Sequence, residues 1–543
     1  LEQELSDGET VLRWLAEQPW CSGKIGMFGK SWGGFNGLQL AARQPPELAA
    51  VIAVCATDDR YADDIHYMGG CLLGDQLSWS SAMFAHTSCP PDPLVVGDDW
   101  KDMWLQRLQH CQPWVFTWLE HQHRDSFWQH GSVCEDFHSI EVPVLAVSGW
   151  ADGYSNAVFR LLKGLQTPCW GLIGPWGHRY PHQGVPGPAI GFLQEAVRWW
   201  GRWLKNEPTG VENEPVLRVW MQDSVPPTVD RGYRPGRWVA ESSWPSDRVA
   251  NVSYTLLPGL IEKSRTLDKV EEEEVWVQSP LSVGLFAGRW CSFTATPDLP
   301  HDQREEDGGA LVFQSRALEK SMEILGAPEV RLSLSVDQPL AMVAVRLSDV
   351  YPDGQAERVT YGLLNLVYRD SFESPSKLTE GRRLEIRCPM NGIAHTFPAG
   401  HRVRVSVSTS YWPLAWPSPQ PVRLTVFTGA SRLLLPVRPP EPQSEIHFEA
   451  PEGAAAVDST VMKPRDYEWV VIRDLPSNLS TLRVVKDEGR YYLPSIDLEL
   501  GSRTEENYSY RGFDFESLRG EVTTVRSFAR QDWDVRINSR TVL

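Results

Sequence analysis

The sequence predicts an α/β protein with a second, all-β part, and three observations support this fold class. Apolar runs alternate with amphipathic segments over the first two hundred residues, which is typical of an open α/β sheet. After Pro208 apolar residues recur at every second position in short segments separated by Pro, Gly and Asp, which indicates a β-sandwich or jelly roll. Residues 58–139 are rich in Trp, His and Gln and have helical but no strand patterns, which favours a helical insertion.

The elements of the α/β part can be assigned in chain order. Ser6 followed by Glu9 predicts a capping box and therefore the start of a first helix. Short apolar runs bounded by turn residues predict buried parallel strands. These predicted strands cover residues 24–29, 48–56, 142–150 and 169–173, with helices over 32–43, 100–108, 114–121 and 192–205. In the all-β part, strands are predicted over residues 216–221, 330–336, 342–347, 361–367 and 402–408.

The charge balance excludes some classes of partner. The chain has 52 Lys and Arg against 70 Asp and Glu, a formal net charge of −18, and it has no block of basic residues. Nucleic acids and anionic membranes both attract basic surfaces, so neither is an expected partner. The longest apolar run, residues 48–56, is far shorter than the roughly 18 residues that cross a bilayer.

The nine cysteines indicate buried thiols rather than a disulfide framework or a zinc site. Their number is odd and no Cys-x-x-Cys pair is present, whereas zinc sites and disulfide-rich domains have regular spacings. This pattern predicts a reducing, cytoplasmic compartment. The histidines are scattered, so neither a metal nor another cofactor is expected.

The segment Gly29-Lys30-Ser31-Trp32-Gly33 has a G-x-S-x-G pattern between a predicted strand and a predicted helix. A nucleophile on such a tight turn is held in a strained backbone conformation that only small neighbours allow. The N–H groups and dipole at the start of the following helix favour an oxyanion. The pattern predicts Ser31 as a nucleophile; the alternative is a glycine-rich turn whose serine has no such role.

A serine nucleophile needs a base, and the base needs an orienting carboxylate. In a sheet of this kind they follow the serine in the order acid, then histidine, each just past a strand end. Asp152 and His178 follow the third and fourth predicted strands in that order. The rival base is His182, and the rival acids, one strand earlier, are Asp58 and Asp59.

Three segments resemble the catalytic signatures of the CocE/NonD-type acyl hydrolases, the superfamily of cocaine esterases and Xaa-Pro dipeptidyl-peptidases. The segments are Ser31-Trp32-Gly33-Gly34, Gly149-Trp150-Ala151-Asp152-Gly153 and Gly174-Pro175-Trp176-Gly177-His178. Residues 14–21 also resemble the helix and turn before that family's nucleophile strand, and residues 395–413 resemble strands of its C-terminal domain. The resemblance covers most of the chain, and its motifs occur in the family's order.

The resemblance implies a division of the chain into three parts. Residues 1–58 and 139–245 would form an α/β-hydrolase core that lacks its N-terminal strands, and residues 59–138 a helical cap inserted into it. Residues 246–543 would form a C-terminal jelly roll of the galactose-binding-like type.

The resemblance also implies the chemistry. Ser31 would be the nucleophile, His178 its general base and Asp152 the orienter of that base, with the backbone N–H of Trp32 donating to the oxyanion. The expected activity is hydrolysis of a small acyl ester, amide or short peptide through an acyl-enzyme.

The chain departs from the family pattern in two places. Trp32 stands where the family usually has Tyr, which leaves the backbone N–H in place. Only Leu1 to Gly23 precede the nucleophile strand, whereas the family has further strands there and a Tyr that supplies a second oxyanion donor. We therefore expect a fragment, truncated at both ends and of low activity by itself.

The substrate is left open by the sequence. Aromatic residues of the cap predict an apolar pocket, and the candidates are Trp79, Phe84, Trp104, Trp114 and Trp118. Asp63 and Asp64 are either a partial carboxylate cluster for a substrate ammonium, as the resemblance implies for members that hydrolyse α-amino-acid esters, or an exposed acidic helix end. An Xaa-Pro dipeptidyl-peptidase, the alternative activity, would also need to recognise the substrate's N-terminal amine. A further alternative is a non-catalytic jelly-roll protein in which residues 411–419 form a carbohydrate platform.

Overall fold

The computed structural model describes residues 2–264, 270–293, 297–440 and 446–543. Its α-helices are α1 (Glu2–Ala16), α2 (Trp32–Ala42), α3 (Asp75–Thr87), α4 (Pro93–Val96), α5 (Trp100–His110), α6 (Trp114–Glu120), α7 (Ser126–His130), α8 (Ser155–Gly164), α9 (Phe192–Lys205) and α10 (Arg304–Asp307). Among these helices, none combines the length and apolarity that crossing a membrane requires.

A parallel sheet forms the centre of the first part of the chain. The strands of this part are β1 (Ile25–Lys30), β2 (Leu48–Val54), β3 (Tyr67–Met68), β4 (Cys71–Leu72), β5 (Val144–Gly149), β6 (Cys169–Gly174), β7 (Leu217–Asp223) and β8 (Gly236–Glu241). Strands β1, β2, β5, β6 and β7 pair in that order, all parallel, and β8 adds to β7 in antiparallel orientation. Helices α2 and α8 pack on one face and α9 on the other, which confirms the predicted open α/β sheet.

Helices α3 to α7 and the small β3–β4 hairpin lie between β2 and β5. Four aromatic side chains from this insertion, Tyr61, Tyr67, Trp118 and Trp128, form a buried cluster of their own. The helical insertion expected between these two core strands is therefore present.

An all-β region follows, and antiparallel pairs dominate it. Its strands are β9 (Ala250–Leu257), β10 (Leu260–Lys263), β11 (Glu274–Val277), β12 (Leu311–Ser315), β13 (Met322–Gly326), β14 (Glu329–Val336), β15 (Met342–Val350), β16 (Ala356–Asn365), β17 (Leu384–Pro389), β18 (Ile393–Phe397), β19 (Arg402–Ser408), β20 (Leu424–Phe427) and β21 (Arg432–Arg438). Alternate residues of these strands fill one large apolar core, as period-two patterning predicts. A short parallel pairing joins β18 to β7 of the central sheet.

The last part of the chain forms a separate antiparallel sheet, which the sequence analysis did not distinguish from the region before it. Its strands are β22 (Thr460–Lys463), β23 (Asp466–Asp474), β24 (Leu479–Leu493), β25 (Leu498–Arg511), β26 (Asp514–Arg530) and β27 (Trp533–Val542). This C-terminal sheet packs through Leu482, Val484 and Tyr508 against Leu77 of α3 and Trp412 of the all-β region.

The capping box predicted at Ser6 is wrong. Helix α1 begins at Glu2, so Ser6 lies within the helix, where its backbone carbonyl accepts a hydrogen bond from the Thr10 hydroxyl at 2.9 Å. Two acidic residues in the first turn, Glu2 and Glu4, favour the earlier start because their negative charges interact favourably with the positive end of the helix dipole.

Candidate active site

Ser31 lies on the turn between β1 and α2 with a backbone φ of 59° and ψ of −125°. A side chain in this left-handed region costs about 1–3 kcal/mol and persists only where the surroundings impose it. Here they do so through close packing, since a Cβ on Gly29 would lie 2.2 Å from the backbone of Gly33, and one on Gly34 would lie 2.7 Å from Ala56 Cβ. The turn therefore requires Gly29 and Gly34, whereas a Cβ on Gly33 would meet no described atom within 4 Å.

The loops after β5 and β6 bring Asp152 and His178 together. The Nδ1 atom of His178 lies 3.1 Å from Oδ1 of Asp152, and both side chains are buried. The backbone supports this approach, because the N–H of Ala151 donates to the carbonyl of Trp176 at 3.0 Å. A Cβ on Gly149 would lie 2.0 Å from that same carbonyl oxygen, so glycine is required where the two loops meet.

Asp152 is held as a carboxylate by several donors. Burial by itself would raise its pKa, but the nearby His178 charge and hydrogen bonds from His178, Cys55 and Cys291 hold the pKa below its usual value. The Ser148 hydroxyl donates to the second carboxylate oxygen at 2.9 Å. A buried carboxylate with donors on both oxygens keeps its charge and its orientation.

Ser31 and His178 line one cavity of about 560 Å³. Within the described residues no hydrogen bond joins the Ser31 hydroxyl to the His178 ring. Because Nδ1 faces Asp152, Nε2 is the ring nitrogen left to serve the hydroxyl. Catalytic hydrogen bonds are often long in the absence of substrate, so the shared cavity is the relevant relationship between the two residues.

Aromatic side chains dominate the described walls of this cavity. Three of the five cap aromatics predicted as substrate-binding lie there, namely Trp79, Trp114 and Trp118. Phe84 and Trp104 are not among the described lining residues; Trp104 instead stacks on Trp100 and donates its indole N–H to the Ser88 carbonyl at 2.8 Å. Lining residues that the sequence analysis did not name include Phe35, Ile65, Phe127, Trp128 and Phe293.

Asp63 and Asp64 are both buried, so the exposed acidic helix end considered above is wrong. The Arg160 guanidinium donates to both carboxylate oxygens of Asp63 at 2.7 Å. Asp64 lines the cavity, but its oxygens face the Arg60 Nε at 3.1 Å and the Tyr154 hydroxyl at 2.8 Å. This carboxylate of the cavity wall is thus paired with an arginine of the protein itself. A second carboxylate of the described wall, Glu4, accepts hydrogen bonds from the side chains of Trp32 and Asn36.

The three rival triad members lie in other surroundings. His182 stacks between Tyr180 and Phe192 and is not among the described cavity-lining residues. Asp58 accepts three hydrogen bonds from Arg160. Asp59 accepts from the backbone N–H groups of residues 61 and 62, so it shapes the turn at the start of the insertion.

His66 is a second buried histidine in the cavity wall, packed on Trp118 with ring centroids 4.5 Å apart. Burial is the main cause that lowers its pKa to about 4. The nearby Asp64 charge opposes this shift, and the Arg60 charge adds to it. The His66 ring is therefore neutral at pH 7. The sequence offered no signal for this position, because burial of a polar side chain depends on long-range packing.

Two groups of buried side chains within the described residues have the composition of metal ligands. The first is Cys55, Asp152 and His178, and the second is Asp349, Glu357 and His395. In the second group Asp349 faces His395 and His401 at 3.2 and 2.9 Å, and Glu357 pairs with Arg234. These contacts account for both groups as hydrogen-bond and ion-pair networks.

The carbohydrate platform expected at residues 411–419 has two of its three rings closed to solvent. Tyr411 and Trp412 are fully buried, and Leu414 and Ala415 are buried beside them. Trp412 packs between Trp416 and Tyr508 of the C-terminal sheet. Trp416 is partly buried, so a row of exposed rings for sugar stacking is not formed by this segment.

Comparison with known proteins gives matches to two family models that together cover most of the chain. Residues 1–180 match the model of the X-Pro dipeptidyl-peptidase (S15 family), and residues 209–451 match that of the X-Pro dipeptidyl-peptidase C-terminal non-catalytic domain. Cocaine esterase from Rhodococcus sp. is 24% identical over 450 residues, which cover 75% of this chain and 76% of the relative.

Solved structures show the same fold. A CocE/NonD family hydrolase from Staphylococcus aureus superposes with a TM-score of 0.62 at 16% identity, covering 80% of this chain and 76% of the other. An α-amino-acid ester hydrolase superposes with a TM-score of 0.61 at 20% identity, covering 80% of each chain. Because it matches both X-Pro dipeptidyl-peptidase models and has a CocE/NonD-like hydrolase fold with a C-terminal all-β domain, the chain belongs to the superfamily of cocaine esterases and X-Pro dipeptidyl-peptidases.

Proposed function

We propose that this protein is a serine hydrolase that cleaves acyl ester or amide bonds, with Ser31 as nucleophile, His178 as general base and Asp152 as the orienter of that base. The observation that carries the proposal is the position of Ser31. Its strained backbone places the hydroxyl at the start of α2 in the cavity that also holds His178, whose ring is bound to a buried carboxylate.

The reaction follows from these positions. Nε2 of His178 takes the proton of the Ser31 hydroxyl as its oxygen attacks the substrate carbonyl, and the imidazolium is stabilised by Asp152. The N–H of Trp32, at the open start of α2, donates to the oxyanion. His178 then protonates the leaving alcohol or amine, and water, deprotonated by the same ring, releases the acid from Ser31.

The cavity favours a substrate with an apolar or aromatic acyl group and no free amine near the reacting carbonyl. Phe, Trp and Tyr side chains form the largest group in the described wall, and a dipeptidyl-peptidase would need an anionic group for the substrate ammonium. Two carboxylates line that wall: Asp64 already faces Arg60 and Tyr154, and Glu4 accepts hydrogen bonds from Trp32 and Asn36. A small ester or amide is therefore preferred over an X-Pro peptide as substrate.

The finer features of the architecture remain part of this proposal. Residues 1–58 and 139–245 are assigned to an α/β-hydrolase core with only part of its strands and residues 59–138 to its cap. Residues 246–543 are assigned to a C-terminal part in which β9 to β21 are of the jelly-roll type and β22 to β27 form the separate sheet described above. The antiparallel pairing and single large core of β9 to β21 support the last assignment. All nine cysteines are free thiols, which supports the predicted cytoplasmic location.

A fluorophosphonate probe tests the proposed nucleophile. The probe is expected to label the protein at Ser31, and Ser31→Ala should remove the label. Ser148→Ala, which removes a hydroxyl bound to Asp152 but leaves Ser31 in place, should slow labelling without abolishing it. Absence of labelling, or labelling that survives Ser31→Ala, would overturn the proposal.

The alternative substrate class is tested by comparing a short aryl ester with Gly-Pro-anilide. We expect turnover of the ester to exceed that of the anilide by at least about tenfold, since an unpaired ammonium next to Arg60 is unfavourable. A preference for the anilide would assign the protein to the dipeptidyl-peptidases instead.

A further inference from the structure

One segment of the all-β region, residues 289–293, connects the loops that carry the acid and the base; we call it the bridging segment. The backbone N–H of His178 donates to the carbonyl of Ser292 at 2.7 Å, and the N–H of Ser292 donates to the carbonyl of Ala151 at 2.9 Å. The ring of Phe293 packs on the His178 ring with centroids 5.2 Å apart. The two loops are therefore held by the same stretch of backbone.

Cys291 lies in the middle of the bridging segment and is fully buried. Its Sγ is 3.2 Å from Oδ1 of Asp152, the oxygen that also faces Nδ1 of His178 at 3.1 Å. The Ser148 hydroxyl donates a hydrogen bond to the other carboxylate oxygen of Asp152. The thiol thus contacts the orienting carboxylate at the atom that faces the base.

We infer that Cys291 is a positioning residue for the hydrolase reaction, donating its S–H to Asp152 and so setting how strongly that carboxylate binds the His178 ring. The inference rests on the proposed function of Ser31, His178 and Asp152. It assigns a role in the reaction to a region that the matched family model describes as non-catalytic.

The thiol acts as a neutral donor. Burial, reinforced by the Asp152 charge, raises the pKa of Cys291 well above its usual value, so the thiol keeps its S–H at neutral pH. The same holds for Cys55, whose pKa is raised by burial and by Asp152.

The other groups around the His178–Asp152 pair come from three elements. Cys55 follows β2. The ammonium of Lys30, at the end of β1, donates a hydrogen bond to the backbone carbonyl of His178 at 3.2 Å. Tyr154 packs beside the His178 ring at 5.7 Å, and its hydroxyl is bound to Asp64. None of these contacts includes the Cys291 thiol, so a shift in the pH profile of a Cys291 variant is assigned to the loss of the thiol.

Removal of the thiol has a defined sign. A donor on Oδ1 withdraws negative charge from the carboxylate, and its loss leaves more charge facing His178, which stabilises the imidazolium. The acidic limb of kcat/KM, which reports protonation of the general base, should therefore move to higher pH. A purely structural role would lower activity at every pH without moving this limb.

The experiment measures kcat/KM for an aryl ester against pH in the full chain and its variants. Cys291→Ala is expected to move the acidic limb upward by about 0.5–1 pH unit, and Cys291→Ser, which keeps a donor, should restore the wild-type limb. Cys388→Ala is the matched control, because Cys388 is equally buried in the all-β region but lies in its apolar core. Should Cys291→Ala fail to fold, Cys291→Val fills the space without a donor.

Each outcome of this experiment either supports or overturns the role inferred for Cys291. A shifted limb in the variants without a donor, unshifted in Cys291→Ser and Cys388→Ala, supports the inference. An unshifted limb, or the same shift in Cys291→Ser, overturns it. If wild type has no Ser31-dependent turnover, the proposed function fails first, and the two failures are thereby distinguished.

Discussion

The His178 ring and the Asp152 carboxylate approach to 3.1 Å, and the exposed fractions of the two side chains are 6% and 0%. Water cannot compete for this contact, so the carboxylate determines which ring nitrogen carries the proton. The tautomer with hydrogen on Nδ1 leaves Nε2 as the base. In the proposed mechanism the pair works only while residue 152 is an anionic acceptor.

Asp152→Asn should remove the control over which ring nitrogen of His178 carries the proton, because an amide can present a donor as well as an acceptor to Nδ1. We expect kcat to fall by roughly 10³–10⁴ with little change in KM, measured by steady-state hydrolysis of an aryl ester. The matched control is Asp59→Asn, which alters the rival acid used in a backbone turn. A comparable loss in the control would show that Asp152 has no special role.

Ser31→Gly should make the protein more stable while removing activity. Glycine adopts a φ of 59° without the strain of about 1–3 kcal/mol that a side chain incurs. Its greater conformational freedom in the unfolded state lowers the free energy of unfolding by about 0.5–1 kcal/mol and so offsets part of this gain. A net gain of about 1 kcal/mol in the free energy of unfolding is expected from urea titration. Ser31→Ala keeps its Cβ, and an equal gain there would contradict the argument from strain.

The placement of Ser31, Asp152 and His178 could be predicted because each follows a strand of one parallel sheet. The carboxyl ends of such strands lie at a common edge, so position in the chain translates directly into position in the site. The apolar alternation also predicted the all-β region.

The bridging segment could not be predicted in this way. Cys291 contacts Asp152 across 139 residues, and no periodicity or motif marks a contact between loops of separate regions. The C-terminal sheet could not be predicted as a separate sheet for a related reason. Its strands have the same period of two as those before it, and membership of a sheet depends on pairing rather than on pattern.

Acid should destabilise the protein through His66. Its pKa is lowered to about 4 in the folded state, chiefly by burial, against about 6.5 when unfolded. Below pH 6.5 the unfolded chain therefore binds a proton that the folded chain does not, and stability falls as the pH approaches 4, by up to about 3 kcal/mol.

Replacement of His66 by Asn tests this. The variant cannot take up that proton in either state, so its free energy of unfolding should fall less between pH 7 and pH 4 than that of wild type, as measured by urea titration at each pH. Parallel curves for the two proteins would exclude His66 as a source of acid sensitivity.

Trp114 and Trp104 form a matched pair for testing the cavity. Both are half-buried tryptophans of the cap, but Trp114 alone of the two belongs to the described cavity wall. Trp114→Leu should raise KM for an aryl ester by about tenfold through lost aromatic contact, whereas Trp104→Leu should leave it nearly unchanged. Equal effects would indicate that the cap acts through its stability and not through its wall.

Glu506 tests whether the C-terminal sheet supports the site. Its carboxylate pairs with Arg289 of the bridging segment, which also donates to Asp75 of α3 at 2.7 Å, and all three side chains are buried. Glu506→Ala should lower the free energy of unfolding by about 3 kcal/mol, because a buried cation loses a partner, and should also lower kcat/KM since Arg289 anchors the segment.

Glu521 of the same sheet provides the comparison, since it pairs with Arg540 and Arg519 near the surface. Glu521→Ala should cost less than about 1 kcal/mol and leave kcat/KM unchanged, with both quantities measured alongside Glu506→Ala. If the two variants lose activity equally, the sheet acts through general stability. If only Glu506→Ala does, the ion pair at Arg289 transmits its support to the loops of Asp152 and His178.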